Sequence, residues 1–145
     1  MHIREAYIAD YPALMTIWEG AVLTTHDFLA TEDFELFKRL IPTEFLPQLR
    51  VFIIEDNKNK AQAFFSVSDD NLEMLFVAPT CRGKGYGKTA VDYVIQELQV
   101  RKVDVNEQNE QALGFYLKAG YKQVGRSEKD GMGKNYPLIH LEIPT

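Results

Sequence analysis

The chain has 145 residues, of which 46% are hydrophobic and 26% charged, and it has a formal net charge of −5 at pH 7. This size and composition predict one soluble globular domain, and the acidic balance disfavours nucleic-acid binding, which needs a basic face. The single cysteine excludes an intrachain disulfide, the three histidines lack metal-ligand spacing, and no stretch has the pattern of a signal peptide or membrane span. We therefore expect a cytoplasmic protein with no metal, no nucleic-acid partner and no membrane partner.

The N-terminal part of the chain predicts one strand and two helices. Residues 2–6 are a strand candidate, and residues 9–23 place apolar side chains at helical spacing. Asp10 is the expected N-cap of this helix, and Pro12 suits its first turn, where the missing N–H costs little. A second helix is predicted over residues 31–41, and the prolines that follow limit or kink it.

The rest of the chain alternates strands and helices around one glycine-rich loop. In chain order the remaining predicted elements are strands 50–55, 61–68 and 71–77, a helix over 88–100, a strand over 101–105, a helix over 109–120, and strands over 121–128 and 138–143. The first two of these strands predict an antiparallel hairpin, and the helix after the loop suits a crossover between parallel strands. The predicted fold class is α/β: one domain over residues 1–145, with a mixed sheet flanked by helices in the order β-α-α-β-β-β-α-β-α-β-β.

The loop VAPTCRGKGYGKTA has the features of an anion site. Gly83, Gly85 and Gly87 can adopt positive φ and leave no Cβ in the way of a ligand, so successive backbone N–H groups can converge on a phosphate. The helix that follows adds its positive N-terminal end. Three basic side chains stand at the rim, namely Arg82, Lys84 and Lys88. A flexible solvated turn is the alternative.

Three nucleotide-binding patterns compete for this loop. Gly87–Thr89 matches the end of a P-loop, but Arg82 stands where the opening glycine should be, which rejects that pattern. The Rossmann fingerprint is met by Gly85–Ala90, and Asp104 lies downstream where a ribose-binding acid is expected. In a Rossmann fold the strand ends almost at the first glycine, whereas here residues 78–84 lie between the strand and the fingerprint. A Rossmann-type nucleotide-binding protein is therefore the second interpretation.

The third pattern, [QR]-x-x-G-x-[GA], is met by Arg82–Gly87 after an apolar strand. A second block, Val105–Tyr121, has the form N-x-x-A-x-x-(apolar)-Y-x-x-x-G-(aromatic). Its matching residues are Asn109, Ala112, Phe115, Tyr116, Gly120 and Tyr121. At these two blocks the chain resembles the GCN5-related N-acetyltransferase (GNAT) family, and the element order fits that family across nearly the whole chain. The segments ATEDF, TTHDFL and GKNYPL further resemble a small bacterial subgroup of it.

The resemblance implies an N-acetyltransferase that moves an acetyl group from acetyl-CoA, its co-substrate, to a primary amine by direct transfer. In the family the pyrophosphate lies on the glycine loop, and the pantetheine arm lies beside the preceding strand. The cofactor-binding residues implied are Leu75, Phe76, Val77, Arg82, Gly83, Lys84, Gly85, Tyr86, Gly87, Lys88, Asn109 and Tyr116. The expected partners are acetyl-CoA and an amine acceptor, with the protein a monomer or homodimer. A non-catalytic acyl-CoA sensor is an alternative.

Two residues are candidates for proton transfer. Tyr116 matches the family tyrosine near the thioester sulfur, where a phenol can act as a general acid; a plain core aromatic is the alternative. Glu73 is the candidate base, because strand alternation puts it on the same face as Leu75 and Val77. A solvated edge carboxylate is the alternative for Glu73, and the family often relays this proton through water.

The acceptor pocket has three candidate residues. His26 lies between the first two helices, a region that helps to form this pocket in the family, and it could bind the acceptor or shuttle a proton. Asn135 and Tyr136 precede the last strand and could line the same pocket. The alternatives are a histidine satisfied by Asp27 or the backbone, and an ordinary hairpin loop. Cys81 is expected to be a small half-buried residue, since direct transfer needs no covalent enzyme intermediate.

Overall fold

The computed structural model describes residues 1–144, which contain seven strands and four α-helices. The strands are β1 (His2–Glu5), β2 (Arg50–Glu55), β3 (Ala61–Ser68), β4 (Asn71–Val77), β5 (Lys102–Asn106), β6 (Lys122–Ser127) and β7 (Leu138–Glu142). The helices are α1 (Tyr11–Thr25), α2 (Thr31–Leu40), α3 (Tyr86–Gln96) and α4 (Glu110–Lys118). The predicted element order is confirmed. None of the helices in this part of the chain is both long enough and apolar enough to cross a membrane.

One mixed sheet contains all of these strands in the order β1-β2-β3-β4-β5-β7-β6. Neighbouring strands are antiparallel except β4 and β5, which run parallel. The exception follows from the connection, because α3 crosses one face of the sheet between β4 and β5 and returns the chain in the same direction. The predicted hairpin and the predicted crossover are therefore both confirmed.

Two apolar cores lie on opposite faces of the sheet, because side chains alternate along each strand. On β2, Phe52 and Ile54 join the core under α3 and α4, whereas Val51 and Ile53 join the core under α1 and α2. From the helices, the first core takes Ala90, Val91, Val94 and Tyr116. The second core takes Leu14, Ile17, Trp18 and Val22. The strand residues of the second core come from β2, β3 and β4, so the same face of β5, β7 and β6 lies outside it.

The entry into α1 differs from the prediction. Asp10 precedes α1, but its side chain makes no capping hydrogen bond to that helix. Instead the Asp10 carboxylate accepts the Tyr7 backbone N–H at 2.7 Å and both oxygens bind the Arg4 guanidinium at 2.9 Å. The hydrogen bonds from Arg4 hold the pKa of the Asp10 carboxyl below its usual value. Asp10 therefore fixes the short 3-10 turn Ile8–Asp10 between β1 and α1, and its side chain does not cap α1.

The parallel strands β4 and β5 separate soon after they begin to pair. Their ladder contains two residue pairs, Asn71 with Lys102 and Leu72 with Val103. Beyond these pairs β4 stays bonded to β3 as far as Val77, and β5 stays bonded to β7 along its length. The two halves of the sheet therefore diverge in a V, and the open end of the V lies where β4 and β5 end.

Leu14 and Leu23 form a matched pair for testing the packing of α1. Leu14 is fully buried, whereas Leu23 is 67% exposed. We expect Leu14→Ala to lower the free energy of unfolding by about 2–5 kcal/mol, because it removes packed methyl groups and leaves a cavity. Leu23→Ala should change it by less than about 0.5 kcal/mol. Chemical denaturation measures both, and equal losses would contradict the assigned packing face of α1.

Candidate active site

A cavity of about 460 Å³ occupies the opening between β4 and β5. Its side walls are Leu72–Val77 of β4 and Val103–Asn106 of β5. On the α1 face it is lined by Ala21, Thr25 and His26. On the opposite face it is lined by the glycine loop and by Ala112, Phe115 and Tyr116 of α4. One connected space thus reaches both faces of the sheet, so two molecules can meet in it from opposite sides.

The glycine loop lines one end of this cavity. Gly83 and Gly85 have φ of +76° and +91°, a left-handed conformation that a Cβ disfavours. Gly85 is the N-cap of α3, so the unpaired N–H groups of the first helical turn begin there. Gly87 is helical, and its role is close packing, because a Cβ there would lie 3.1 Å from Phe115 Cζ of α4. Tyr86 is buried and also lines the cavity.

The basic side chains of the loop differ in their contacts. Arg82 Nη2 donates to Gln111 Oε1 at 2.7 Å and so links the loop to α4. Lys88 Nζ pairs with Asp92 at 3.0 Å, one turn along α3. Arg82 and Lys88 line the cavity, whereas Lys84 is exposed outside the lining. A phosphate group at the N-terminus of α3 would therefore meet backbone N–H groups and two nearby cations.

Tyr116 is both a core residue and a cavity residue. It is 6% exposed and lies on α4, where its ring packs edge-to-face against Phe115 and Tyr121 with centroids 5.0 and 5.4 Å apart. It also lines the cavity. Burial raises the pKa of the Tyr116 phenol well above its ordinary value, because the charged phenolate is poorly solvated there. The phenol, which is protonated at neutral pH even at its ordinary pKa, is thereby held still more firmly in its neutral form.

Asn109 caps α4 and lines the cavity. Its Oδ1 accepts the Ala112 backbone N–H at 3.2 Å, which satisfies one of the unpaired groups at the start of the helix. This bond uses the carbonyl oxygen of the side chain, so the NH₂ group can still donate toward the cavity. Asn109 thus orients α4, and with it Tyr116, in addition to its predicted contact with a ligand.

The prediction for Glu73 rested on regular alternation along β4, and that premise is wrong. The β3–β4 register shifts between Ser66 and Val67, so Glu73 is the extra residue of a β-bulge. As a result Leu72 joins the same core as Leu75, although regular alternation would place them on opposite faces. Glu73 lines the cavity but is exposed, and its carboxylate accepts a hydrogen bond from the Ser68 hydroxyl. Its surroundings are polar, and it does not lie on an apolar face.

His26, a candidate for the acceptor pocket, lines the cavity on the α1 side. Its Nδ1 lies 2.7 Å from Thr25 Oγ1, and its ring packs against Phe28 and Phe76 with centroids 5.2 and 6.4 Å apart. Burial lowers the pKa of His26, and the charge of Asp27 only partly opposes this shift. The imidazole is therefore neutral near the cavity at neutral pH.

Tyr136 and Asn135 lie outside the cavity lining. The Tyr136 hydroxyl accepts the Ala30 backbone N–H at 3.1 Å and donates to the Asp33 carboxylate. Lys134 Nζ binds the same carboxylate at 2.7 Å. The loop between β6 and β7 is thereby attached to the start of α2, beside the His26 side of the cavity. Tyr136 holds this loop against α2, while Asn135 is exposed.

Sequence reasoning missed Asp104 and Gln111 as cavity residues. For Asp104 a signal was available, since Val103 and Val105 alternate with it and are buried in the core under α3 and α4. For Gln111 no local signal exists, because its position depends on Arg82 reaching it from the glycine loop. Cys81 is buried, and its thiol donates to a glutamine side chain, so it is more enclosed than predicted.

Together, the opened sheet, the glycine loop and the buried phenol define a transferase in which two substrates meet from opposite faces of one sheet. Residues 47–123 match the family model described as an acetyltransferase (GNAT) domain. The chain therefore belongs to the GNAT family, whose members use acetyl-CoA to acetylate amines. The Rossmann alternative is wrong, since that fold needs a mostly parallel sheet and β4–β5 is the one parallel pair among residues 1–144.

Named relatives support the same assignment. The chain is 35% identical over 144 residues, 99% of both chains, to the peptidyl-lysine N-acetyltransferase YjaB of Salmonella typhimurium. The solution structure of apo-form YjaB from Escherichia coli matches with a TM-score of 0.90 and 36% identity over 97% of this chain and 95% of that chain. The PaiA N-acetyltransferase of Thermoplasma acidophilum, in complex with coenzyme A, has the same fold, with a TM-score of 0.74 and 18% identity over 99% and 98% of the two chains. The chain is thus an N-acetyltransferase, and the predicted bacterial subgroup is confirmed.

Gly85 and Gly114 provide a matched test of the loop conformation. Gly85 has φ of +91°, whereas Gly114 is helical with nothing within 4 Å of an added Cβ. We expect Gly85→Ala to lower the free energy of unfolding by about 1–2 kcal/mol, because alanine strains a left-handed backbone. Gly114→Ala should raise it by up to about 1 kcal/mol, because alanine favours helix. Chemical denaturation measures both, and an unchanged stability of Gly85→Ala would contradict a fixed left-handed turn.

The pKa of His26 predicts a loss of stability in weak acid. Burial keeps the pKa below its usual value of 6.5, so below about pH 6.5 the unfolded chain binds a proton that the folded protein does not. The melting temperature of the wild type should therefore fall between neutral pH and about pH 5, and His26→Gln should reduce this fall. The pKa of Asp10 is also lowered, but from an ordinary value of 3.8, so the stability that Asp10 contributes is lost only at a pH below this range. If the melting temperatures of the wild type and His26→Gln fell equally over this pH range, the assignment of a buried, neutral imidazole would be contradicted.

Proposed function

We propose that this protein transfers the acetyl group of acetyl-CoA to the ε-amino group of lysine in proteins or peptides, by direct attack of the amine on the thioester. The observation that carries the proposal is the single cavity that joins the glycine loop and Tyr116 on one face of the sheet to His26 on the other. The acceptor class is that of the YjaB relatives, which match nearly the full chain. The proposal includes the cytoplasmic location and the monomer or homodimer expected from the sequence.

In this proposal acetyl-CoA enters from the side of α3 and α4. The backbone N–H groups at Gly83, Gly85 and the first turn of α3 bind the pyrophosphate, with Arg82 and Lys88 at its edge. The fit is supported by the left-handed glycines, which keep this backbone free of side chains. It is further supported by the PaiA neighbour of the same fold, which is in complex with coenzyme A.

The acetyl-bearing arm then follows the open edge of β4. Because the β4–β5 ladder ends at Leu72, the edge of Leu75–Val77 that faces β5 has lost its strand neighbour. An extended amide-containing arm can bond to such an edge as an added strand. A backbone N–H on this segment can also polarise the thioester carbonyl oxygen, as an oxyanion donor does.

Tyr116 is the proposed general acid in this site. Its phenol is protonated at neutral pH, as any tyrosine with an ordinary or raised pKa is, and it lines the cavity at the face where the thioester is proposed to arrive. When the amine nitrogen bonds to the carbonyl carbon and the carbon–sulfur bond breaks, the phenol can give its proton to the departing thiolate. No covalent intermediate on the enzyme is required, which agrees with the buried position of Cys81.

We expect Tyr116→Phe to lower kcat by about 100-fold, the usual contribution of a general acid, while leaving the acetyl-CoA dissociation constant within about twofold of the wild type. Release of the coenzyme A thiol measures the first quantity with a lysine peptide as acceptor, and calorimetry with acetyl-CoA measures the second. Tyr93→Phe is the matched control, since Tyr93 packs against Phe52 and Phe65 away from the cavity.

Two results would contradict the proposal. An unchanged kcat in Tyr116→Phe would return Tyr116 to a purely structural role. Acetyl-CoA binding by the wild type without turnover, across lysine peptides and polyamines, would instead identify a non-catalytic acyl-CoA sensor.

A further inference from the structure

A row of three hydrogen-bonded side chains crosses β6, β7 and β5. The Ser127 Oγ lies 2.6 Å from His140 Nε2, and His140 Nδ1 lies 2.6 Å from Asp104 Oδ1. Neutral His140 satisfies both contacts when Nδ1–H donates to the carboxylate and Nε2 accepts the serine O–H. The side chains of His140 and Asp104 are 33% and 39% exposed.

The strand register produces this row. Asp104 on β5 lies directly opposite His140 on β7, and Gly125 on β6 lies on the other side of His140. The imidazole lies over Gly125, where an added Cβ would be 3.4 Å from His140 Cδ2, and it reaches Ser127 on the same strand. The row is on the face of β5, β7 and β6 that lies outside both apolar cores.

One end of the row reaches the candidate active site. Asp104 and Glu73 are the two residues that line both the 460 Å³ cavity and a second hollow of about 520 Å³ on this open face. His140 and Lys102 line the second hollow as well. Asp104 therefore lies where the two spaces adjoin, on the face of the sheet away from α3, α4 and Tyr116.

Stability alone gives a weak reason for this arrangement. Half-exposed contacts of a carboxylate contribute little to folding, and β5 and β7 are already joined by packing of Val103, Val105, Ile139 and Leu141 on their other face. The neighbouring cation is engaged elsewhere, since Lys102 Nζ binds Asp70 at 3.1 Å. Asp104 is held through Oδ1 alone in the row, so Oδ2 can accept a proton.

We propose that Asp104 is the base that takes the proton of the acceptor ammonium, and that His140 and Ser127 position its carboxylate. This inference rests on the proposed function. One N–H bond of the ammonium breaks, its proton passes to Asp104 Oδ2, and the electron pair stays on the nitrogen, which then bonds to the carbonyl carbon. As the carbon–sulfur bond breaks, Tyr116 gives its proton to the thiolate, and the second proton of the nitrogen replaces it on the phenol. The first proton then leaves Asp104 for solvent on the open face, so one proton in total is released. Glu73 is less suited, because its carboxylate lies in the bulge and is bonded to Ser68.

The test compares two acceptors that differ in charge. One is a peptide with a single lysine, and the other is the same peptide with an aminooxy group in place of the ε-ammonium, which is uncharged at neutral pH and needs no base before attack. In Asp104→Asn, kcat/KM for the lysine peptide should fall about 100-fold, whereas that for the aminooxy peptide should stay near the wild-type value. Asp69→Asn is the matched control in the same hollow, and it should leave both values unchanged.

Substitutions of the positioning residues His140 and Ser127 should also lower kcat/KM for the lysine peptide more than for the aminooxy peptide, but by a smaller factor. His140→Leu should lose activity with the lysine peptide and retain it with the aminooxy peptide. His140→Asn, whose amide can replace the Nδ1–H donor, should retain more of the lysine activity than His140→Leu, and Ser127→Ala should lose less than either histidine variant. Addition of formate to Asp104→Ala should restore part of the lysine activity, because formate replaces the missing carboxylate.

Several results would overturn the inference. If Asp104→Asn lowered kcat/KM equally for both peptides, Asp104 would have a structural role only. If Glu73→Gln, and not Asp104→Asn, lowered kcat/KM for the lysine peptide alone, Glu73 would be the base. Wild-type activity on spermidine but not on the lysine peptide would contradict the proposed acceptor class and move the same comparison to spermidine and an aminooxy analogue of it. A wild type inactive on both amines would overturn the proposed function and this inference with it.

Discussion

The early separation of β4 and β5 is the constraint on which the rest of the site depends. A parallel ladder of two residue pairs holds the strands together at one end, and the bulge at Glu73 follows at once. Backbone groups within a sheet must find partners in protein, ligand or water. Each strand here satisfies one edge with its antiparallel neighbour and turns the other edge to a cavity of about 460 Å³. The fold thus creates a binding surface from backbone groups that an unbroken sheet would have used internally.

The two walls of this opening are held by separate sets of contacts. β4 is supported by β3 and followed by the glycine loop and α3, whereas β5 is supported by β7 and followed by α4. Across the open end, Gly87 lets α3 approach Phe115 of α4, and Arg82 bonds to Gln111. The glycine loop and the helix that carries Tyr116 are therefore packed against each other.

Burial favours the uncharged form of the tyrosine and the histidine that line the cavity. It raises the pKa of the Tyr116 phenol and lowers that of the His26 imidazole, so both groups are uncharged at neutral pH. Charged groups lie instead at the two ends, with Arg82 near the glycine loop and Asp104 and Glu73 toward the open face. This distribution suits an anionic co-substrate on one side, a cationic acceptor on the other, and a neutral centre where the bond between them changes.

Much of the fold and part of the site could be predicted from the sequence, because they depend on chemistry that is local along the chain. Apolar periodicity determined the element order, the glycine spacing determined the anion loop, and the block around Tyr116 placed a phenol on the helix after β5. Other features depend on strand pairing between distant segments. The bulge at Glu73 comes from its register with β3, and Tyr136 is bonded to Asp33 at the start of α2.

The row from Asp104 to Ser127 also exists only because β5, β7 and β6 lie side by side in an order that the chain does not follow. The sequence by itself determined which elements form, which loop can bind an anion, and which helix carries the phenol. Only the tertiary structure decided which carboxylates line the cavity, because register and bulges are set by hydrogen bonds between strands that are remote in sequence.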